Sequence, residues 1–206
     1  MLEFFIAALV IGVAPGPDNL FVLAQSATYG ARLGFCIILG LCTGIAIHTC
    51  LLVAGVSALI AASPTAFFVI QCLGAAYLLY LAYKSFGVKA GVVQMKGDSR
   101  SEPGMTSARS LYMRGIIMNL TNPKVILFVL SLIPPAVRLE RPIHPSLQMA
   151  IFGGEFILAT MIVFGCIALL AGTVKKFLLT SPKANRNLNW FSGAVFVFLA
   201  VALFFV

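Results

Sequence analysis

Residues 14–19 read APGPDN and lie in the middle of an otherwise apolar stretch, Leu2–Tyr29. Proline lacks the backbone N–H of a helix, and its ring clashes with the carbonyl four residues earlier. Two prolines around one glycine therefore predict a break within a helix, with Asp18 and Asn19 opening its second half. At membrane depth, non-helical backbone is tolerated only inside protein or beside a water-filled cavity. The segment thus predicts a buried polar site.

The composition indicates an integral membrane protein. Of the 206 residues, 61% are apolar and 10% are charged, whereas soluble domains have about 45–50% apolar and about 25% charged residues. A soluble chain of this length could not bury so much apolar surface. The lipid bilayer is therefore the expected environment.

Six apolar stretches are each close to the roughly 20 residues that a membrane-spanning helix needs. They are continuously apolar rather than alternating, which favours helices over barrel strands. The expected fold is an all-α membrane protein with two inverted three-helix repeats, in residues 1–86 and 110–206, joined by a cytoplasmic linker loop, residues 87–109. The predicted spans are, roughly, Leu2–Tyr29, Phe35–Ala62, Thr65–Phe86, Leu111–Ile133, Leu147–Gly172 and Leu188–Val206.

The basic residues predict the orientation of these spans. The net charge is +8, and eleven of the fourteen Lys and Arg residues lie in the loops after spans one, three and five. Loops rich in Lys and Arg face the cytoplasm, so both termini are expected outside. The basic character needs no nucleic-acid partner.

Span four contains a second break, NLTNPK at residues 119–124. Lys124 is expected near the middle of that span, where a charge costs a few kcal/mol or more. Three spans per half predict inverted repeats, whose broken helices commonly meet at a site. Asp18 and Lys124 would then face each other. They would either line a functional cavity or form a structural bridge in which Asp18 caps its half-helix and Lys124 binds free carbonyls.

Other polar residues within the spans are weaker candidates. Glu155 is expected to be a protonatable or cation-recognising group, and the alternative is a carboxylate held by Arg138 or Arg141. For His48 a packing role is preferred over a proton relay, and Gln71 and Tyr77 could line a path. Two glycine pairs have GxxxG spacing, which lets helices approach closely. They indicate packing within one chain or a homodimer, and they are Gly12/Gly16 and Gly40/Gly44.

Three motifs together resemble a known family, the LysE-type amino-acid exporters, and especially its threonine/homoserine-efflux (RhtB-like) branch. The segment APGPDNL at residues 14–20 is similar to the PGPD/N signature of that family. The segment GAAYL at residues 74–78 is similar to its second signature, and NPK at residues 122–124 is similar to its third. The resemblance covers essentially the whole chain.

The resemblance implies export of amino acids from the bacterial cytoplasm across the inner membrane, driven by proton antiport. The substrates would be threonine/homoserine-like or other small neutral or basic amino acids. In this hypothesis the substrate carboxylate meets Lys124, and its ammonium meets Asp18, Asn119 or Glu155. The expected pathway residues are Pro15, Gly16, Pro17, Asp18, Asn19, Asn119, Asn122, Pro123, Lys124 and Glu155, with His48, Gln71 and Tyr77 at lower weight.

Other functions stay as alternatives. The first is an exporter of an inorganic cation or of another small metabolite, and the second is a passive channel or assembly factor. A thiol-disulfide carrier is disfavoured because no cysteine lies beside Pro17 or Pro123. No nucleophile–base pair or phosphate-binding glycine loop indicates an enzyme, and no cofactor or metal site is expected.

Overall fold

The computed structural model describes residues 2–14, 16–62, 64–87, 107–138, 140–173, 182–202 and 204. Regular structure in these ranges is helical, in agreement with the predicted all-α class. The helices are α1 (Leu2–Val13), α2 (Pro17–Tyr29), α3 (Ala31–Ala62), α4 (Pro64–Phe86), α5 (Ala108–Thr121), α6 (Pro123–Ala136), α7 (Pro145–Leu169) and α8 (Pro182–Ala202).

Both predicted breaks are present. The axis bends by 63° between α1 and α2 and by 58° between α5 and α6. Pro17 and Pro123 are the first residues of α2 and α6, a position where the missing N–H costs nothing and the fixed φ suits the helix. The prolines therefore end one helix and begin the next, and the prediction that helices one and four are broken is confirmed.

The described helices account for two to four membrane spans. The segments Ala31–Gly55 and Pro145–Leu169 are each long and apolar enough to cross a membrane, and each bent pair reaches that standard when taken as one span. Helices α4 and α8 lie where the third and sixth spans are predicted. Within α8, Asn189–Ala202 forms a shorter apolar helical segment. The count of six spans stays a prediction.

The long helices α3 and α7 form the centre of the bundle. They pack against each other, α5 packs on α3, and α1 packs on α7, while α4 packs against α8. The α3–α5 contact is close because glycines face it: a Cβ on Gly40 would overlap the Tyr112 carbonyl oxygen, and one on Gly115 would overlap that of Ile37. Gly44 faces Asn119 in the same contact. The Gly40/Gly44 pair thus serves packing within one chain.

Candidate functional site

The two breaks meet at a small polar cavity inside the bundle. Its volume is about 30 Å³, above the roughly 10–15 Å³ that a cavity needs to hold one water molecule. Helices α1, α2, α3, α5, α6 and α7 all contribute to its walls. The polar side of the lining consists of Gly12, Gly16, Asp18, Asn19, Asn119, Asn122, Lys124 and Thr160, and the apolar side of Ile11, Leu41, Ile45, Val125, Phe156 and Phe164.

Two hydrogen bonds join one break to the other. The side-chain amide of Asn122 donates to Oδ2 of Asp18 at 2.6 Å, and Nζ of Lys124 donates to the backbone oxygen of Ala14 at 2.8 Å. The structure thus brings Asp18 and Lys124 to one site, as the symmetry argument expects. In this conformation, however, each charge is held by a neutral group of the opposite break.

Helix dipoles explain why these contacts form. Asp18 lies in the first turn of α2, where the positive end of the dipole favours a carboxylate. Lys124 lies in the first turn of α6, where the same dipole disfavours a cation, and its side chain reaches instead to the carbonyl that follows α1. Asn122 is the N-cap of α6, and its Oδ1 accepts a hydrogen bond from the Lys124 backbone N–H at 3.0 Å.

Polar side chains also satisfy carbonyls that the breaks leave without helical donors. The Asn19 side-chain amide donates to the Gly12 oxygen at 2.7 Å, across its own break. Pro123 cannot donate to the Asn119 oxygen, which accepts from the Asn122 N–H and lies 3.4 Å from Nε2 of His48. His48 therefore contacts the second break from α3, and whether it packs there or relays protons stays a prediction.

Two oxygen atoms at the cavity have no hydrogen-bond partner within the described residues, namely Oδ1 of Asp18 and Oδ1 of Asn119. Both side chains are buried, with 6% and 2% of their surface exposed. A buried acceptor without a donor costs about 1–3 kcal/mol. Asp18 and Asn119 both line the cavity, so their unpartnered oxygens are the acceptors nearest to a donor group that enters it. The Asn119 oxygen lies on the side of α3, 2.6 Å from where a Cβ on Gly44 would be.

The remaining predicted residues lie elsewhere or are not described. Glu155, partly buried on α7, precedes the cavity residue Phe156 but is not in the lining. Its Oε2 is buried and has no hydrogen-bond partner among described residues. Tyr77, on α4, is also outside the lining and packs against Tyr80 with ring centroids 5.9 Å apart. Pro15 and the side chain of Gln71 lie outside the described residues.

The sequence did not predict the part of the cavity wall that α3 and α7 supply. Leu41, Ile45, Phe156, Thr160 and Phe164 lie in apolar runs, where cavity-facing and lipid-facing positions look alike. A weak signal was available for Thr160, a polar residue within an apolar helix. In the part of the chain that the structure describes, no group of three or more His, Cys, Asp or Glu side chains could hold a metal ion.

Apolar helices that break around a cavity with charged and amide side chains define a membrane protein of the transporter class, because such breaks commonly hold polar solutes at mid-membrane. The chain matches the family described as "LysE type translocator" over residues 9–205. It belongs to that family, and it is a transporter and not an enzyme.

Individual relatives cover nearly the whole chain. The "Leucine efflux protein" of Salmonella typhimurium is 30% identical over 200 residues, which are 97% of this chain and 92% of the relative. The "Uncharacterized membrane protein YrhP" of Bacillus subtilis is 31% identical over 201 residues, 96% of this chain and 94% of the relative. No solved structure matches the chain. These matches identify the family without distinguishing its threonine/homoserine-efflux branch.

Proposed function

We propose that the protein exports neutral amino acids with apolar side chains from the cytoplasm across the bacterial inner membrane, and that leucine is the first substrate to test. Membership of the LysE-type translocators supports a transport function. The names of relatives that are 30% identical support amino-acid efflux and point to leucine.

The unpartnered oxygens of Asp18 and Asn119 are the observation that carries this proposal. An α-ammonium group has three donors and a positive charge, so it suits a site whose lining includes the acceptors Asp18 and Asn119. Lys124 also lines the cavity, and its Nζ lies 3.7 Å from where a Cβ on Gly16 would be. The site can therefore receive an ammonium and a carboxylate together, as an amino acid requires.

The start of α2 provides a second group for the carboxylate. Its N-cap is Gly16, which has no side chain to cap the helix. The first N–H groups of any helix lack internal acceptors, and they bind anions well. The apolar side of the cavity, which includes Ile45 and Phe156, suits an aliphatic side chain.

Transport requires the breaks to separate, because a cavity of about 30 Å³ is far smaller than the roughly 300–1,000 Å³ usual for small-molecule pockets. The hydrogen bonds from Asn122 and Lys124 hold the two breaks together, and hydrogen bonds to charged groups each contribute about 1.5–3 kcal/mol. A substrate that replaces these partners favours an open state over the closed one. In this scheme, alternating access results when the substrate replaces the hydrogen bonds that Asn122 and Lys124 make to the opposite break.

The proposed architecture has six spans in two inverted repeats, residues 1–86 and 110–206, with the linker 87–109 in the cytoplasm and both termini outside. Packing between the two halves supports this architecture. Helix α1 of the first half packs on α7 of the second, and α5 of the second half packs on α3 of the first. Protons are the proposed coupling ion, and Asp18 or Glu155 would exchange them.

Counterflow in proteoliposomes tests the proposal. Vesicles containing the full chain and unlabelled leucine should accumulate labelled leucine, and an imposed pH gradient should change the extent. Threonine, homoserine and lysine complete the panel. Loss of one charged contact of about 1.5–3 kcal/mol corresponds to roughly a ten- to hundredfold slower exchange, which we expect for Asp18→Asn and for Lys124→Met.

The matched controls, Glu140→Gln and Lys84→Met, replace exposed charges outside the cavity. Their rates of leucine exchange should stay close to that of wild type. Size-exclusion profiles in detergent check that each variant folds. Wild-type exchange by both Asp18→Asn and Lys124→Met would contradict the assignment of the site. Absence of exchange with every amino acid in the panel would contradict the proposed substrate class.

A further inference from the structure

A second and larger cavity lies at the end of the bundle where α1 begins and α6 ends. Its volume is about 440 Å³, within the roughly 300–1,000 Å³ usual for small-molecule pockets. Most of its wall is apolar and includes Phe4, Phe152 and Leu199. In the proposed orientation this outer cleft opens away from the cytoplasm.

Charged side chains of both signs line the outer cleft. Glu3 comes from the start of α1, and Arg138 and Arg141 come from the segment between α6 and α7. All three side chains are exposed. A guanidinium binds a carboxylate through two parallel hydrogen bonds, while a carboxylate such as Glu3 attracts an ammonium. The cleft thus combines an anion site, a cation site and an apolar wall.

A buried glutamine holds the arginine segment in place. The side chain of Gln148, 4% exposed, accepts a hydrogen bond from the Arg138 N–H at 3.0 Å and donates to the Arg138 oxygen at 2.8 Å. It also donates to the Ile143 oxygen at 2.8 Å. The Arg141 N–H donates to the Arg138 oxygen at 3.3 Å. The backbone of Arg138 is therefore fixed to α7, and that of Arg141 is hydrogen-bonded to it, which lowers the entropic cost of binding.

Four phenylalanine rings separate the outer cleft from the central cavity. Phe152 lines the cleft, and Phe156, one turn further along α7, lines the cavity. Ring centroids are 4.9 Å apart for Phe4–Phe152, 5.8 Å for Phe4–Phe128 and 4.8 Å for Phe128–Phe156. All four side chains are buried. The two cavities are therefore neighbours along one helix, closed from each other by this aromatic cluster.

We propose that the outer cleft is a second amino-acid site, which holds the zwitterion of an aliphatic amino acid between Glu3 and the pair Arg138 and Arg141. This inference rests on the proposed function of the central cavity. An amino acid that passes the aromatic cluster enters a cleft with charges of both signs, and it is released from there.

Leucine binding to the purified full chain in nanodiscs tests the second site. We expect wild type to bind two leucines per chain and Asp18→Asn to keep the one in the outer cleft. The double variant Arg138→Gln/Arg141→Gln should lose the outer leucine and keep the central one. Arg109→Gln, an exposed arginine on α5, is the matched control and should bind two. In the Asp18→Asn background, leucinol lacks the carboxylate and 4-methylpentanoate lacks the ammonium, so neither should displace leucine.

The outcomes separate this inference from the proposed function. If wild type exchanges leucine but binds one per chain, and Asp18→Asn binds none, the outer site is refuted while the transport proposal stands. If wild type fails to exchange any amino acid but Asp18→Asn still binds leucine through the two arginines, the transport proposal fails instead. Native mass spectrometry checks whether a phospholipid occupies the outer cleft instead. The inference would be overturned if wild type retains a phospholipid that leucine does not displace and that the double arginine variant loses.

Discussion

Replacement of Asn122 provides a sharp test of how the two breaks are held together. This one side chain donates to the Asp18 carboxylate at 2.6 Å and accepts from the Lys124 backbone N–H at 3.0 Å. It is buried, with 6% of its surface exposed. Asn122→Ala removes both contacts, whereas Asn122→Ser keeps an N-cap oxygen but is too short to reach Asp18.

The two contacts contribute different amounts to stability. Loss of an N-cap costs about 0.5–2 kcal/mol, and loss of a hydrogen bond to a charged group costs about 1.5–3 kcal/mol. Asn122→Ala should therefore lower the free energy of unfolding by about 2–5 kcal/mol and Asn122→Ser by about 1.5–3 kcal/mol. For chains of this length, each kcal/mol lost from the free energy of unfolding lowers Tm by about 2–4 °C. The expected decreases in Tm are roughly 4–20 °C for the alanine variant and roughly 3–12 °C for the serine variant.

Thermal unfolding of the purified protein in detergent, followed by intrinsic fluorescence, measures these shifts at a fixed scan rate. Thr121→Ala is the matched control: its residue is the immediate neighbour of Asn122, it is exposed, and its hydroxyl donates only within α5. We expect that variant to change Tm by less than either Asn122 variant. If Asn122→Ala and Asn122→Ser both unfold within about 1 °C of wild type, the two breaks are not held together by this side chain.

Three further predictions concern the surroundings of the site. Gly44→Ala places a Cβ 2.6 Å from the Cβ of Asn119, so overpacking should destabilise the protein by about 1–3 kcal/mol. The control is Gly154→Ala, whose Cβ would have nothing within 4 Å and whose Tm should stay close to that of wild type. Phe156→Ala should cost about 3–5 kcal/mol in the same assay, and because its ring separates the two cavities, it should also make vesicles leak leucine without exchange. His48→Gln should keep the pH profile of leucine exchange, since His48 is not in the cavity lining and its ring contacts the backbone carbonyl of Asn119; an altered profile would favour the proton-relay alternative.

The sequence was informative wherever covalent chemistry limits the backbone. The prolines at 17 and 123 predict both breaks because proline cannot serve as a donor within a helix, and no partner elsewhere in the chain changes that. The same reasoning located Asp18, Asn119, Asn122 and Lys124, because polar groups in an apolar span need partners. All four line one cavity.

Side-chain direction could not be predicted in the same way. Glu155 and Phe156 are neighbours on α7, yet the phenylalanine lines the central cavity and the glutamate does not. Along a helix that is apolar on every side, the sequence has no amphipathic pattern to distinguish the core face from the lipid face. The walls supplied by Leu41 and Ile45 were missed for this reason.

What the sequence determined by itself was a helical membrane protein with two interrupted helices and a few charged groups at the interruptions, because these features depend on local backbone chemistry and on the cost of charges in lipid. Tertiary structure alone decided how those charges are paired. Asp18 is held by Asn122, and Lys124 by the Ala14 carbonyl, since the crossing of the two breaks brings each charge closest to a neutral partner of the opposite half. It also decided that a cluster of phenylalanine rings lies between the central cavity and the outer cleft, because Phe4 of α1 meets Phe128, Phe152 and Phe156 from the other half of the chain only in the folded protein.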